Sequence, residues 1–532
     1  MKKIRLALLL FIICFLYFLP SHNKYWHPYD EGFMLEAASM INKGMFPYRD
    51  FFILLYPPAQ IYVLALLFKI FGAYFAVARF YTILVETLIC LLVFYIGKKV
   101  TSSKYALLGM ILCLIVISSY GRPIAVPTWP AIALSLLSVL FLLNFFEKER
   151  MGYLVFSGFF AGLVFIFRHD AGLWTTIPGA AGIWMHAIRK GKYGKSSAAE
   201  IAQETVRLLS IYAAFACFFI AALGVWLYKN QALNDALRSL FMFPSEYIAK
   251  AAVPFPKFCF NPSMIFHRGS LFIKNNQFYV PILTCAASAI LLIIDIVSKK
   301  ILDKKIISLT VILLLGILYL QQVMIRTDLP HLASAFAPSA ILFAAMFTSE
   351  APIKNMLLRT ARISIVSVMS LFMALLLYIA AESYLKETFV KAHIKREIEP
   401  VHFDRGTLYV PDDGRDAIIS LVAFVKDHTK QNEKIYVGNM DHSVREFNQY
   451  HVLYFLTGRM SAVKYYELCA GLQSRFNIQE EMIESLKRDK TRFVILRSYG
   501  TDESSLGPLD KFIRENYKLS TIIDTAHIYV KK

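Results

Sequence analysis

Residues 57–72 read PPAQIYVLALLFKIFG, and whether this stretch crosses a bilayer decides how the rest of the chain is threaded. Its apolar run, Ala59 to Phe71, is shorter than the roughly 17–25 residues that a transmembrane helix needs. Pro57-Pro58 before it and Gly72 after it are the start and stop signals of a short helix. Counted as a span, it would put Lys98 and Lys99 on the outer side and invert every later loop. The stretch therefore predicts a juxtamembrane helix inside a first outer loop of about residues 21–75.

Outward from this stretch, about eleven runs are apolar enough to span: Leu6 to Leu19, Ala76 to Ile96, Tyr105 to Tyr120, Trp129 to Phe146, Tyr153 to Phe167, Ala171 to Ile188, Leu208 to Tyr228, Phe278 to Val297, Ile306 to Ile325, Leu332 to Phe347 and Ile363 to Ala381. The first resembles a signal peptide, but no small-residue cleavage site follows Pro20, which predicts an uncleaved first span. Basic residues gather in alternate loops (Lys98/Lys99/Lys104, Lys148/Arg150, Arg189/Lys190/Lys192/Lys195, Lys299/Lys300/Lys304/Lys305, Lys354/Arg359/Arg362) and at Lys2/Lys3/Arg5. The positive-inside rule makes that side the cytoplasm. A second large outer loop covers about 229–277, so residues 1–381 form a membrane domain. Residues 382–532 turn to ordinary soluble composition, with strand-like runs (Lys434 to Val437, Phe493 to Leu496, Ile528 to Val530) between helix-like ones (Ala417 to Val425, Gln479 to Leu486, Leu509 to Glu515). The expected fold is an α-helical polytopic membrane protein with a small C-terminal α/β domain on the periplasmic side of a bacterial inner membrane.

Composition agrees: of 532 residues 57% are hydrophobic and 18% charged, with mean hydropathy +0.50, too apolar for a soluble globule. The net charge of +19 sits in the loop clusters as a topology signal, so no nucleic-acid partner is implied. Cys14, Cys90, Cys113, Cys217 and Cys285 lie within apolar runs, and Cys259 and Cys469 lack metal-like spacing. No structural metal is expected.

With this threading the chemistry-capable residues fall at one face. Asp30-Glu31, Arg49-Asp50 and Tyr56 lie in the first outer loop, Arg168-His169-Asp170 at the outer end of the fifth span, and Arg326-Thr327-Asp328 with His331 at the outer end of the ninth. Asp30 and Glu31 precede a helix-like stretch, where an acid serves as an N-cap or as a carboxylate that takes a proton from an attacking hydroxyl. The arginine clusters read either as local ion pairs finishing two spans or as two-pronged donors to a phosphate, with His331 adding a donor. Glu86 lies within the second span, where an ionisable group faces the protein interior.

The run Tyr29-Asp30-Glu31-Gly32, Gly44, Pro47-Tyr48-Arg49-Asp50-Phe51-Phe52, Tyr56-Pro57-Pro58, Phe71-Gly72 and Ala78-Arg79 resembles the first outer loop and second span of GT-C glycosyltransferases. It is most like bacterial relatives of the protein O-mannosyltransferases and of the lipid A aminoarabinose transferases. The resemblance implies inverting transfer of a sugar from a polyprenyl-phosphate donor lipid to a lipid, glycan or protein acceptor at the periplasmic face. By position it makes Asp30 the base, with Glu31 beside it; the candidate donor-phosphate or substrate contacts read from the residues themselves are Arg49, Asp50, Tyr56, Arg168, Asp170, Arg326, Asp328 and His331. The chain departs from the pattern at Val126-Pro127-Thr128-Trp129, where some relatives carry a second acid. No cofactor is expected, no Asp-x-Asp site marks a metal in the outer loops, and a carboxylate-bound divalent ion stays open. A transporter or flippase of a lipid-linked saccharide is the rival reading, but it needs polar residues through both leaflets, and the inner halves of the spans are nearly bare apart from Asp295.

Overall fold

The computed structural model describes residues 2–245, 252–259, 269–299, 302–348, 355–442, 448–467, 472, 475–500 and 507–532. Lys300, Lys354, Cys469 and parts of the loop read over 229–277 lie outside the described residues. The chain opens with α1 (Lys2–Phe18), α2 (Pro28–Asn42), α3 (Ala59–Phe71), α4 (Phe75–Val100), α5 (Ser103–Val116), α6 (Thr128–Lys148), α7 (Met151–Phe167), α8 (His169–Gly194) and α9 (Ala198–Lys229). After the short α10 (Leu233–Leu237) and α11 (Gly269–Asn276) come α12 (Tyr279–Lys299), α13 (Lys304–Ile325), α14 (Leu329–Met346) and α15 (Met356–Leu385).

Every apolar run read from the sequence is helical, and α3 has the bounds that its flanking prolines and glycine predict. Nine described helical stretches are long and apolar enough to cross a membrane. The other two predicted spans are α7, which has 17 residues, and α8, a continuous 26-residue helix with Pro178 inside it; packing places both in the bundle. Gly158 and Gly162 let α7 lie against α9, since a Cβ at those positions would sit 2.4 Å from the Tyr212 carbonyl oxygen and 2.6 Å from that of Ala216. Ser135 joins α6 to α8 and α13 through the hydroxyls of Thr175 at 2.6 Å and Tyr319 at 2.8 Å.

The two ends of the bundle differ in chemistry. At one end the basic loops meet acids: Lys99 to Glu147 at 2.6 Å, Arg189 to Glu149 at 3.6 Å, Lys304 to Glu149 at 3.7 Å, and Arg362 to Asp295 at 2.9 Å. The predicted basic loops thus share one end. Asp295, the acid expected to stand nearly alone there, is an ion-pair partner. Glu86, deep in α4, is buried, and its Oε1 has no hydrogen-bond partner.

The opposite end carries the C-terminal domain. The last span continues past residue 381 to Leu385 and then, in a wider helical turn, through Lys386–Ile394. A hairpin of β1 (Ile398–Phe403) and β2 (Gly406–Pro411) follows, then α16 (Asp412–His428), β3 (Tyr436–Asn439), α17 (Leu453–Thr457), α18 (Phe476–Arg488), β4 (Phe493–Arg497), α19 (Pro508–Asn516), β5 (Tyr517–Ile523) and β6 (Ala526–Lys531). The larger sheet has the order β3-β4-β6-β5, with β3 and β4 parallel and Tyr436 opposite Val494. Residues 417–425, 434–437, 479–486, 493–496, 509–515 and 528–530 fall on or overlap the elements expected of them, whereas β1, β2 and β5 were not foreseen. In β1 and β5 exposed and buried residues do not alternate strictly, so a period of two is weak there.

This domain does not stand apart. Phe455 of α17 packs against Phe68 of α3 at 5.9 Å and Phe75 of α4 at 5.0 Å, and the Tyr466 hydroxyl donates to the Phe33 carbonyl of α2 at 3.3 Å. On its other side α2 is fixed to α4 by a buried ion pair. Arg79 Nε donates to Glu31 Oε1 at 2.7 Å and Nη2 to Oε2 at 2.6 Å. Arg79 also donates to the carbonyls of His22 at 3.0 Å and Tyr25 at 2.7 Å.

Reporter fusions at Lys99 and at Gln431 should report opposite sides of the membrane, cytoplasmic and periplasmic; the same side for both would refute the threading. Removing one partner of a buried ion pair costs about 3–5 kcal/mol, so Arg79→Ala and Glu31→Ala should each melt well below the parent in detergent. Parent-like melting would show that the pair does not hold α2.

Candidate active site

The recess at the domain end starts from the first turn of α2. Pro28 occupies the first helical position and His27 is the N-cap. Asp30 is therefore not the cap expected from the sequence, because Pro28 pre-sets the helix two residues earlier. It lies in the first turn, where its carboxylate still meets the positive end of the helix. Successive helical residues point about 100° apart, so with Glu31 turned onto Arg79, Asp30 faces away from α4 and reaches solvent. Surrounding protein nevertheless raises its pKa through burial, against the lowering effect of Arg326, Arg122 and His331. A group that touches water yet loses much of its hydration sits on the wall of a recess.

The arginine clusters stand at the same recess. Arg168, at the junction of α7 and α8, is buried and grips Asp170 through Nε and Nη2, while its Nη1 donates to Thr128 Oγ1 at 3.1 Å and Gln322 Oε1 at 2.9 Å. Arg326, at the junction of α13 and α14, donates from Nε to Asp328 Oδ2 at 3.0 Å. Asp328 caps α14 by accepting from the His331 backbone N–H at 3.0 Å, and its Oδ1 lies 2.5 Å from His331 Nδ1. Both arginines thus have the local aspartate partners that the ion-pair reading requires. Both also act on the first outer loop: Arg326 on Asp30, and Arg168 on Tyr56. Tyr56 is pushed up to about 12, mainly by burial, with Asp30, Asp170 and Glu467 adding to the shift.

Arg49 and Asp50 are not part of this group. They pair with each other at the surface, at 2.8 Å through both nitrogens, and the other charges acting on them are those of Tyr62 and Lys464. Glu31 stands next to Asp30 in sequence, but each of its oxygens accepts from Arg79.

Three site residues escaped the sequence reading. Arg122 follows the π-turn Ile117–Gly121 with φ 61° and contacts the His27 ring; burial, then Arg122 and Arg79, hold His27 down at about 3, so it is neutral. An arginine at the end of a helix opposite the basic loops is the exception to the charge pattern expected of the spans, and that exception was the available signal. Glu467 belongs to the soluble domain, and nothing in its sequence neighbourhood marks it. Among the described residues no group of three or more His, Cys, Asp or Glu could hold a metal ion.

Comparison with known proteins bears on this arrangement. The profile of the dolichyl-phosphate-mannose-protein mannosyltransferase family matches residues 56–189, a segment that holds Tyr56, Arg79, Arg122 and Arg168 to Asp170. No curated protein matches the chain. The archaeal oligosaccharyltransferase AglB from Archaeoglobus fulgidus, solved with an inhibitory peptide and a dolichol-phosphate, superposes with a TM-score of 0.52 at 11% identity, over 100% of this chain and 74% of its own. ArnT from Cupriavidus metallidurans, solved bound to undecaprenyl phosphate, gives 0.50 at 10% identity, over 99% of this chain and 98% of its own. Over residues 56–189 the chain is thus similar to the dolichyl-phosphate-mannose-protein mannosyltransferase family, and its fold is similar to the folds of AglB and ArnT.

Proposed function

We propose that this chain transfers a sugar from a polyprenyl-phosphate donor to an acceptor hydroxyl or amine at the periplasmic face of a bacterial inner membrane, with inversion at the anomeric carbon. The observation that carries the reading is the solvent-exposed Asp30 carboxylate in the first turn of α2, where the charges of Arg326, Arg122 and His331 reach it and favour its ionised form against burial. The lipid-phosphate ligands of the two structural relatives agree with it. The acceptor's nucleophile attacks the anomeric carbon while Asp30 takes its proton. On the opposite face of that carbon the bond to the phosphate oxygen breaks, and polyprenyl phosphate leaves with the electron pair. Its growing negative charge is met by guanidinium groups, Arg326 and Arg122 first, in a site partly shielded from water. In this reading Arg168 and Asp170 fix the wall that carries Tyr56, and Glu31 is structural. Guanidinium charge suffices for a single phosphate, so no metal is needed.

Asp30 must be ionised to act. Because burial raises its pKa, the acid limb of the transfer rate should lie above the ordinary carboxylate value of about 4; a limb at or below that value would count against Asp30. Arg326→Ala should weaken binding of polyprenyl phosphate by about tenfold or more, the cost of a lost charge-assisted contact, with the melting temperature unchanged. Full donor affinity in both Arg326→Ala and Arg122→Ala would return these arginines to a purely structural role. A chelator should leave turnover unchanged, and its loss would call for a divalent ion. Mass spectrometry of envelope lipids and glycans, with and without the protein, should reveal one missing sugar mass; identical profiles would contradict the reading.

A further inference from the structure

The C-terminal domain reaches this recess through Glu467. That side chain is 7% exposed, it accepts from the Leu54 backbone N–H at 3.0 Å, and the Tyr29 phenol is near enough to favour its ionised form. Each partner borders the site. Tyr29 directly precedes Asp30. Leu54 directly precedes Leu55, whose φ of 70° places a branched residue in the left-handed region, a conformation that persists only where the surroundings enforce it. Tyr56 follows, under the influence of Arg168, Asp30 and Asp170. The same segment is held elsewhere by Phe52 N–H donating to the Lys464 carbonyl at 3.0 Å, Ser239 Oγ to the Ile53 carbonyl at 2.5 Å, and the Tyr48 hydroxyl to the Tyr56 carbonyl at 2.5 Å. Glu467 adds the link from this segment to the start of α2.

We propose that Glu467 is a positioning residue supplied by the soluble domain, whose carboxyl clamps Tyr29 and the Leu54–Tyr56 turn so that Asp30 and Tyr56 keep a fixed relation across the recess. The clamp itself stands on geometry; only its effect on turnover rests on the transferase reading above. Among the described residues, the ionisable groups acting on or acted on by Glu467 include Asp30 and Tyr29 on α2, Tyr56 on the first outer loop and Tyr466 beside it. Burial, joined by the Asp30 charge, raises its carboxyl to about 8 against the Leu54 N–H and Tyr29, which favour the ionised form. The clamp is therefore neutral below that pH. Above it, a second negative charge forms beside Asp30, and repulsion between the carboxylates loosens the arrangement.

The test uses the full chain in lipid nanodiscs, as parent, Glu467→Gln and Glu467→Ala. Amide exchange over residues 52–57 is measured together with sugar transfer across pH 6 to 10, a range set to bracket the titration at about 8. Glutamine mimics the neutral acid, so Glu467→Gln should keep parent-like exchange and turnover at pH 7 and should lack the parent's fall in rate through pH of about 8. Glu467→Ala should exchange the segment about tenfold faster and lose about 10- to 100-fold in kcat, as misplacement of site groups does, with the donor KM little changed. Parent-like exchange in the alanine variant, or an unchanged alkaline limb in the glutamine variant, overturns the proposal. If alanine prevents folding, the glutamine pH profile decides. If the parent transfers no sugar, the transferase reading fails and the exchange data alone judge the clamp.

Discussion

The domain end of this protein depends on one buried charge pair. Arg79 enters α4 one turn from its start and spends its donors on both oxygens of Glu31 and on two carbonyls of the segment that leads from α1 into α2. A buried pair of this kind contributes little net stability over a well-packed apolar substitute, but it fixes geometry, because neither charge tolerates another arrangement. Once Glu31 is committed to α4, the rotation of α2 is set, and so is the direction of the residue before it. The next residue, Gly32, closes the opposite side: a Cβ there would lie 2.7 Å from Val452 Cα. The helix is held between membrane bundle and soluble domain, and Asp30 is the acid of its first turn left facing the recess.

Three acids on α2 show how environment separates roles for one chemical group. Glu31 is ion-paired and buried. Asp30 touches water and feels three basic groups across the recess. Glu36, one turn further on, is fully buried with neither oxygen hydrogen-bonded, and burial pushes it up to about 7 against the pull of Lys43 and Arg405. The sequence presents all three as similar carboxylates, and only the packing partners tell them apart.

Much of the fold was legible because a bilayer imposes strong rules. Run length located a helix at each of the eleven predicted runs, nine of the described helical stretches being long and apolar enough to cross a membrane, and Pro57, Pro58 and Gly72 set the limits of α3. The candidate site could be proposed from sequence where arginines and acids cluster, at 168–170 and 326–331. It was illegible where residues distant in sequence converge: Arg122 against His27, and Glu467 against Leu54 and Tyr29. The Arg49-Asp50 pair belongs to the same motif-like run as Asp30, yet it closes on itself at the surface. Proximity in sequence said nothing about which side of the loop faces the recess. The identity of the helix cap was also hidden, because Pro28 starts α2 ahead of the acids.

The central claim is that Asp30 accepts the acceptor's proton, and the most direct measurement is sugar transfer by purified Asp30→Asn beside the parent, with donor-lipid binding and melting compared first. Asparagine keeps the shape and the hydrogen-bonding capacity of the side chain but cannot take a proton. With binding and melting unchanged, the account predicts a loss of about 10²- to 10⁴-fold in turnover, the usual contribution of a general base. Near-normal turnover by Asp30→Asn would contradict it and remove Asp30 from the chemistry.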